Sequence, residues 1–242
     1  MKIIDINTAY GPYTGVKLEI TAFDLSVRLN KSQIFKAVTL SSYGVYHSFR
    51  DGNARTLKQC EDIDILIPAA TIDPRGYFGQ IEIIEQIKES GFKLLRFFPE
   101  MQKWDPEHVV FEEILELNNK TLMPIMVTCF KNGIITKLYN VAKDVTRFPI
   151  ILQGVGYENM SEAVCVLKKS PNFMIETSNI TVPSSLEYLY SEIGDERILF
   201  GSDACEKSAR VAKDFINLAS IQDSVKEKIF FNNANRILGG KF

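Results

Sequence analysis

With 242 residues, 45% of them hydrophobic, the chain is long enough to bury one sizeable core and suits one large domain. Twenty-eight Lys and Arg against thirty Asp and Glu give a formal net charge of -2, which argues against a general nucleic-acid or acidic-membrane binder. Cys60, Cys129, Cys165 and Cys205 are widely spaced and form no CxxC pair, so metal fingers and disulfide scaffolds are disfavoured and a reduced, cytoplasmic protein is expected.

The first apolar run, "KIIDI" (2–6), enters a strand at once, which argues against a signal peptide. No run approaches the ~20 apolar residues of a membrane helix. If the first strand stays extended through "DINTA", Asp5, Asn7 and Ala9 share one face. Helical spacing follows in "TAFDLSVRLN" (21–30), then a strand-like run in "FKAVTL" (35–40) and a long connection, "SSYGVYHSFRDGN" (41–53). "DILIPAA" (64–70) and "KLLRFF" (93–98) read as strands around a helical "IEIIEQIKES" (81–90). In "WDPEHVVFEEILELNN" (104–119), Asp105 is expected to cap a helix with Pro106 at its first position and Val110, Ile114 and Leu117 on one face.

Strands are expected again at "PIMVTC" (124–129), "PIILQG" (149–154), "FMIETS" (173–178) and "RILFGS" (197–202). Helical patterns lie at "MSEAVCVLKK" (160–169), "SARVAKDFINLA" (208–219) and "DSVKEKIFFNNANRILGG" (223–240), the last closed by Gly239 and Gly240. The strand-like runs are mostly continuous rather than alternating, as in parallel strands buried on both faces. Eight of them in β-then-α order predict an α/β fold, a (β/α)8 TIM barrel spanning residues 1–242 as one domain. Its chemistry would sit at the carboxyl ends of the strands.

At those ends stand several candidates. Arg96, inside the fourth strand, needs a partner, either an internal carboxylate (Asp5, Asp73, Glu176 or Asp203) or an anionic ligand. Arg75 and Arg50 sit in following loops and read more simply as surface residues. His47, with Tyr43, Tyr46, Phe49 and Arg50, would roof the mouth, either as an acid–base group or as a loop histidine stacked among aromatics. His108 reads as an exposed residue of a first helical turn. Asp203 begins "DACE", which spells a helix N-cap with Glu206 completing a capping box, and the same carboxylate is a candidate proton-transfer group. Cys129 and Cys205 lie beside strand ends, where with His47 and Asp203 they offer the material for a non-standard metal site.

Seven segments in order, "IPAATIDPRG", "GFKLLRFFPEMQKWDP", "MPIMVTCF", "FPIILQGVG", "NFMIETS", "DERILFGSDACEKS" and "FNNANRILG", resemble the third to eighth strands and closing helix of the amidohydrolase-related family. These are metal-dependent TIM-barrel hydrolases and decarboxylases. The resemblance puts the family's first-strand histidine pair on Asn7 and Ala9, its fifth- and sixth-strand histidines on Thr128 and Gly154, and its fourth-strand lysine on Arg96. Only the eighth-strand aspartate is kept, as Asp203. Zinc takes imidazole, thiolate or carboxylate, and this set offers one carboxylate and neutral oxygens. The expectation is therefore no metal and no cofactor. The resemblance implies a hydrolase- or lyase-type enzyme on a small anionic substrate. Asp203 and His47 would be catalytic, and Arg96, Asn7, Thr128, Tyr43, Arg75 and Glu176 would bind the substrate. The alternative is a non-catalytic barrel that binds a metabolite or protein partner. A homo-oligomer is compatible with either; nucleic acid and membrane are not expected partners.

Overall fold

The computed structural model describes residues 1–12 and 19–242. Eight parallel strands follow one another around the sheet in chain order: β1 (Ile4–Asp5), β2 (Lys36–Thr39), β3 (Leu66–Thr71), β4 (Leu94–Phe97), β5 (Ile125–Thr128), β6 (Ile150–Gln153), β7 (Phe173–Glu176) and β8 (Ile198–Leu199). The Ile6 amide donates to the Phe200 carbonyl at 2.9 Å, so the sheet curls until its first and last strands meet. This is the (β/α)8 barrel expected from the sequence. A short antiparallel pair, Gly11–Pro12 with Glu19–Ile20, follows β1.

Helices α1 (Ala22–Lys31), α2 (Phe49–Asp62), α3 (Ile83–Glu89), α4 (Val109–Asn118), α5 (Ile134–Ala142), α6 (Met160–Lys169), α7 (Ser185–Ile193) and α8 (Ala209–Leu218) return the chain between strands and after the last one. The chain ends in Asp223–Glu227, a π-helical Lys228–Asn232 and Asn233–Ile237, with Gly239 and Gly240 at positive φ beyond them. None of these helices is long and apolar enough to cross a membrane.

Strand alternation divides the core into two layers. Ile4, Ile6, Val38, Leu40, Ile67, Ala69, Leu94, Met126, Ile151, Met174 and Leu199 fill the barrel interior, while the second cluster packs strands against helices. Each buried aliphatic side chain contributes about 1.5–3 kcal/mol of transfer free energy, and the larger strand–helix layer contributes most of it. Two residues beyond Leu94, Met126, Ile151 and Met174, the same parity brings in Arg96, Thr128, Gln153 and Glu176, all buried. The interior is thus apolar below and polar at its carboxyl end.

Local structure departs from expectation at four places. Only Ile4–Asp5 pair as a strand and the chain bends at Ile6, so Ile4, Ile6 and Asn7 all serve the interior and the single face expected for Asp5, Asn7 and Ala9 is not kept. Helix α4 starts at Val109, not Pro106. The His108 imidazole accepts from the Val110 amide as N-cap, while Asp105 accepts from the Glu107 amide and pairs with Lys137, which uses Asp105 one turn too early to cap. Asp203 does not cap α8, whose N-cap is Ser208. Asp203 instead holds a left-handed backbone (φ 54°), its carbonyl accepting from the amides of Glu206 and Lys207. The connection after β2 is largely helical, as Tyr43–Tyr46 followed at once by α2.

That last pair of helices crosses where Gly44 faces Gly52. A Cβ on Gly52 would lie 2.2 Å from the Gly44 Cα, a backbone atom that cannot swing away. Gly52→Ala is expected to lower stability by about 1–3 kcal/mol, the cost of overpacking a tight contact. Denaturant unfolding, with an unchanged m-value, would record it.

Candidate functional site

The polar end of the interior is organised by Arg96. Arg96 is 2% exposed, and its guanidinium donates from Nη1 to the Thr8 carbonyl (2.7 Å) and from Nη2 to Asn7 Oδ1 (2.8 Å) and Gln153 Oε1 (3.1 Å). It thereby bridges β4, the chain after β1 and the end of β6, and stands 5.2 Å from the Phe98 ring centroid. Arg96 and Gln153 form the floor of a mouth cavity of about 130 Å³, whose walls include Leu40, Tyr46, Phe98 and Phe130 and whose charged rim is Asp203 and Glu206. A larger concavity, about 690 Å³, lies in the loops after β6 and β7 between Tyr157, Val182 and Tyr188, with Glu158 as its only carboxylate. Charged groups converge at the mouth, where barrels do chemistry, and we place the candidate site there.

Asp203 reaches the rim because its amide donates to the Asn7 carbonyl (2.9 Å), pinning the loop after β8 to β1. Its carboxylate accepts from the Cys205 thiol (3.4 Å) and stands 3.7 Å from Lys207 Nζ. Burial, followed by the charge of Asp203, raises the Glu206 carboxyl above its ordinary range.

Two further carboxylates lie beneath, both fully buried. Glu176 Oε1 accepts from the Gly154 amide (3.2 Å) and the Ser178 hydroxyl (2.8 Å), and Oε2 accepts from the Ser178 amide (2.7 Å). Desolvation pushes its pKa up against these donors. Asp5 accepts from the amides of Asn7 (3.1 Å) and Ser202 (3.0 Å) and from the Ser202 hydroxyl, yet desolvation still raises it to about 7.

Of the residues singled out in the sequence, Arg96, Asn7 and Asp203 come together here, and Glu176 joins them from below. Thr128 is buried, donating to the Phe97 carbonyl at 3.2 Å, and is not among the cavity-lining residues. His47 is exposed and stacks on Tyr43 (4.7 Å between centroids), and Arg55 lies 3.8 Å from the Tyr43 ring, so Tyr43 and His47 form a surface stack rather than a roof. Arg75 pairs with Asp73 through two hydrogen bonds on the surface, which holds its pKa above the ordinary value. Cys129 packs in the outer core layer with its pKa pushed well up by burial. Gln153 and Phe130 line the site without having been singled out, and Glu206, read in the sequence only as a capping-box partner, lines it too. For Gln153 the signal was in the sequence: it keeps the inward alternation of "PIILQG", whereas Gly154 (φ 86°) turns the chain away.

The positions that the family resemblance assigns to a metal do not fit one. Among the described residues no three His, Cys, Asp or Glu side chains cluster as a metal site. Asn7 Oδ1 already accepts from a guanidinium, whose fixed positive charge opposes a second cation. A Cβ on Gly154 would lie 2.5 Å from two atoms of the Phe130 ring, so that ring fills the space a side chain there would need.

The sequence model of the family described as Amidohydrolase matches residues 25–240. The chain belongs to this amidohydrolase family. No curated protein matches it. Among solved structures it is similar to 2,6-dihydroxybenzoate decarboxylase from Rhizobium (TM-score 0.76, 15% identity, 98% of both chains covered). It is similar also to 5-carboxyvanillate decarboxylase from Sphingomonas paucimobilis (0.77, 15%, 98% of both). A third is a dihydroxybenzoic acid decarboxylase from Polaromonas sp. JS666 with bound manganese and the inhibitor 2-nitroresorcinol (0.74, 15%, 98% of this chain and 96% of that one). At such identity these likenesses establish a shared amidohydrolase fold.

Asp5 generates a pH test. Its folded pKa, about 7, exceeds the ordinary 3.8, so the native state binds more protons than the unfolded chain between these values. Its contribution to stability is therefore fully present below about pH 4, falls as pH rises through that window and levels off above 7. Asp5→Asn is expected to remove this slope, seen as a wild-type-minus-variant difference in unfolding free energy that changes between pH 4 and 7.

Proposed function

We propose that this amidohydrolase acts on a small carboxylate held by Arg96 at the barrel mouth, with hydrolase- or lyase-type chemistry and no divalent metal at the family position. One observation carries the reading: a buried guanidinium and the carboxylate of Asp203 line the same small cavity. A guanidinium attracts a carboxylate through its fixed positive charge, and three acceptors, two from the chain after β1 and one from the end of β6, hold this one rigidly. The similar structures named for dihydroxybenzoate, dihydroxybenzoic acid and 5-carboxyvanillate support a carboxylic acid as the ligand class.

In this reading the substrate carboxylate meets Arg96 on the cavity floor, and Leu40, Phe98 and Phe130 exclude water around the remainder. Asp203 is the proton-transfer group at the rim, with Cys205 and Lys207 fixing its orientation. Asn7 and Gln153 position the guanidinium. His47, Tyr43 and Arg75 stand outside this arrangement. Phe130 favours a second reading, since a ring crowding the mouth suits a barrel that binds a metabolite without turning it over.

Thermal melting with benzoate, acetate and inorganic phosphate tests the pocket, because a ligand that binds only the native state raises the midpoint. Benzoate is expected to raise it, and Arg96→Gln to abolish the shift in a protein that still melts cooperatively. Elemental analysis is expected to find substoichiometric zinc and manganese; one bound ion per chain would defeat the metal-free reading. Decarboxylation of a hydroxylated benzoate that Asp203→Asn eliminates would establish the enzyme. Binding without turnover would establish the second reading.

A further inference from the structure

Glu176 lies outside the cavity, yet an unbroken chain of hydrogen bonds joins it to the Arg96 guanidinium. We infer that the Glu176 carboxylate is the remote counter-charge and positioning residue of Arg96, acting through Ser178 and Asn7.

The chemistry of each group fixes the direction of every link. A guanidinium only donates, so the Asn7 atom 2.8 Å from Arg96 Nη2 is the amide oxygen. The Asn7 Nδ2 group therefore faces Ser178 and donates to its hydroxyl oxygen at 3.1 Å. An amide NH2 accepts nothing, so the single Ser178 hydroxyl proton goes to Glu176 Oε1, 2.8 Å away. Glu176 closes the series as a pure acceptor, receiving two further donors from the Gly154 and Ser178 amides. These three donors favour the carboxylate form and work against the desolvation of the buried group.

Space enforces the same arrangement. A Cβ on Gly201 would lie 2.0 Å from Glu176 Oε2, so only glycine admits the carboxylate there. A buried anion is costly unless compensated, and this chain ends on a buried cation. Two neutral amphoteric groups between the charges keep Glu176 from capping the guanidinium directly, and Arg96 itself lines the cavity. The relay also explains why position 7 carries an amide: an aspartate there would present an acceptor to both neighbours, pair with Arg96 itself and cancel its charge.

The ligand arm of the test rests on the carboxylate reading of the mouth and compares benzoate with benzamide, near-isosteres that differ in charge. The wild type is expected to prefer benzoate. Asn7→Asp and Ser178→Ala, shown by melting to be folded, are expected to reduce that preference about tenfold, the first by setting a carboxylate against the guanidinium and the second by breaking its link to Glu176. A purely structural role for these residues would weaken both ligands alike, and an unchanged benzoate-to-benzamide ratio in both variants would overturn the relay. A second arm needs no ligand. Arginine guanidinium NMR, assigned by loss of the signal in Arg96→Lys, is expected to show slowly exchanging Nη protons in the wild type that average in Ser178→Ala. Identical spectra would overturn the relay. A wild type that binds neither benzoate nor benzamide but shows the NMR change would reject the carboxylate reading and keep the relay.

Discussion

The guanidinium of Arg96 ties the top of the barrel together. From β4 it reaches the chain after β1 and the end of β6, and through Asn7 and Ser178 it is coupled to β7. Below it the interior is a buried, mostly aliphatic filling that adds to stability and carries no chemistry. Above it lies the small cavity with Asp203 at the rim. A charge at that level of a barrel is affordable only because fixed acceptors replace water around it, and that requirement shapes the neighbouring residues: an amide at 7, an amide at 153 and glycine at 201.

Much of this was legible in the chain. Eight apolar runs gave eight strands, because strands buried on both faces must be continuously apolar, and the barrel then located the mouth. The strand ends also pointed to Arg96 and Asp203, since a charge so close to a buried run has to be accounted for. What sequence did not yield was contact between distant segments. Asn7 and Ser178 meet across 171 positions, and no local pattern announces that. Nor does it announce that Tyr43 and His47 turn outward: the second connection reads as a loop, and it is instead two helices that cross with Gly44 against Gly52. "DACE" misled for a similar reason. Its carboxylate is fixed by the Asn7 carbonyl, a partner from the other end of the chain, rather than by the helix that follows.

The family relationship and the local chemistry therefore answer different questions. Membership in the amidohydrolase family accounts for the strand order and for the position of the mouth. It does not dictate what stands there, and in this chain an organic cation and neutral amides occupy the level at which the resemblance places imidazoles.

The packing of Phe130 against Gly154 has an evolutionary consequence. A histidine introduced at 154 alone would meet the ring, whereas a smaller residue at 130, a partly exposed position, would give up its volume to solvent. The order of change is therefore set: residue 130 has to give way before residue 154 can carry any side chain at the mouth.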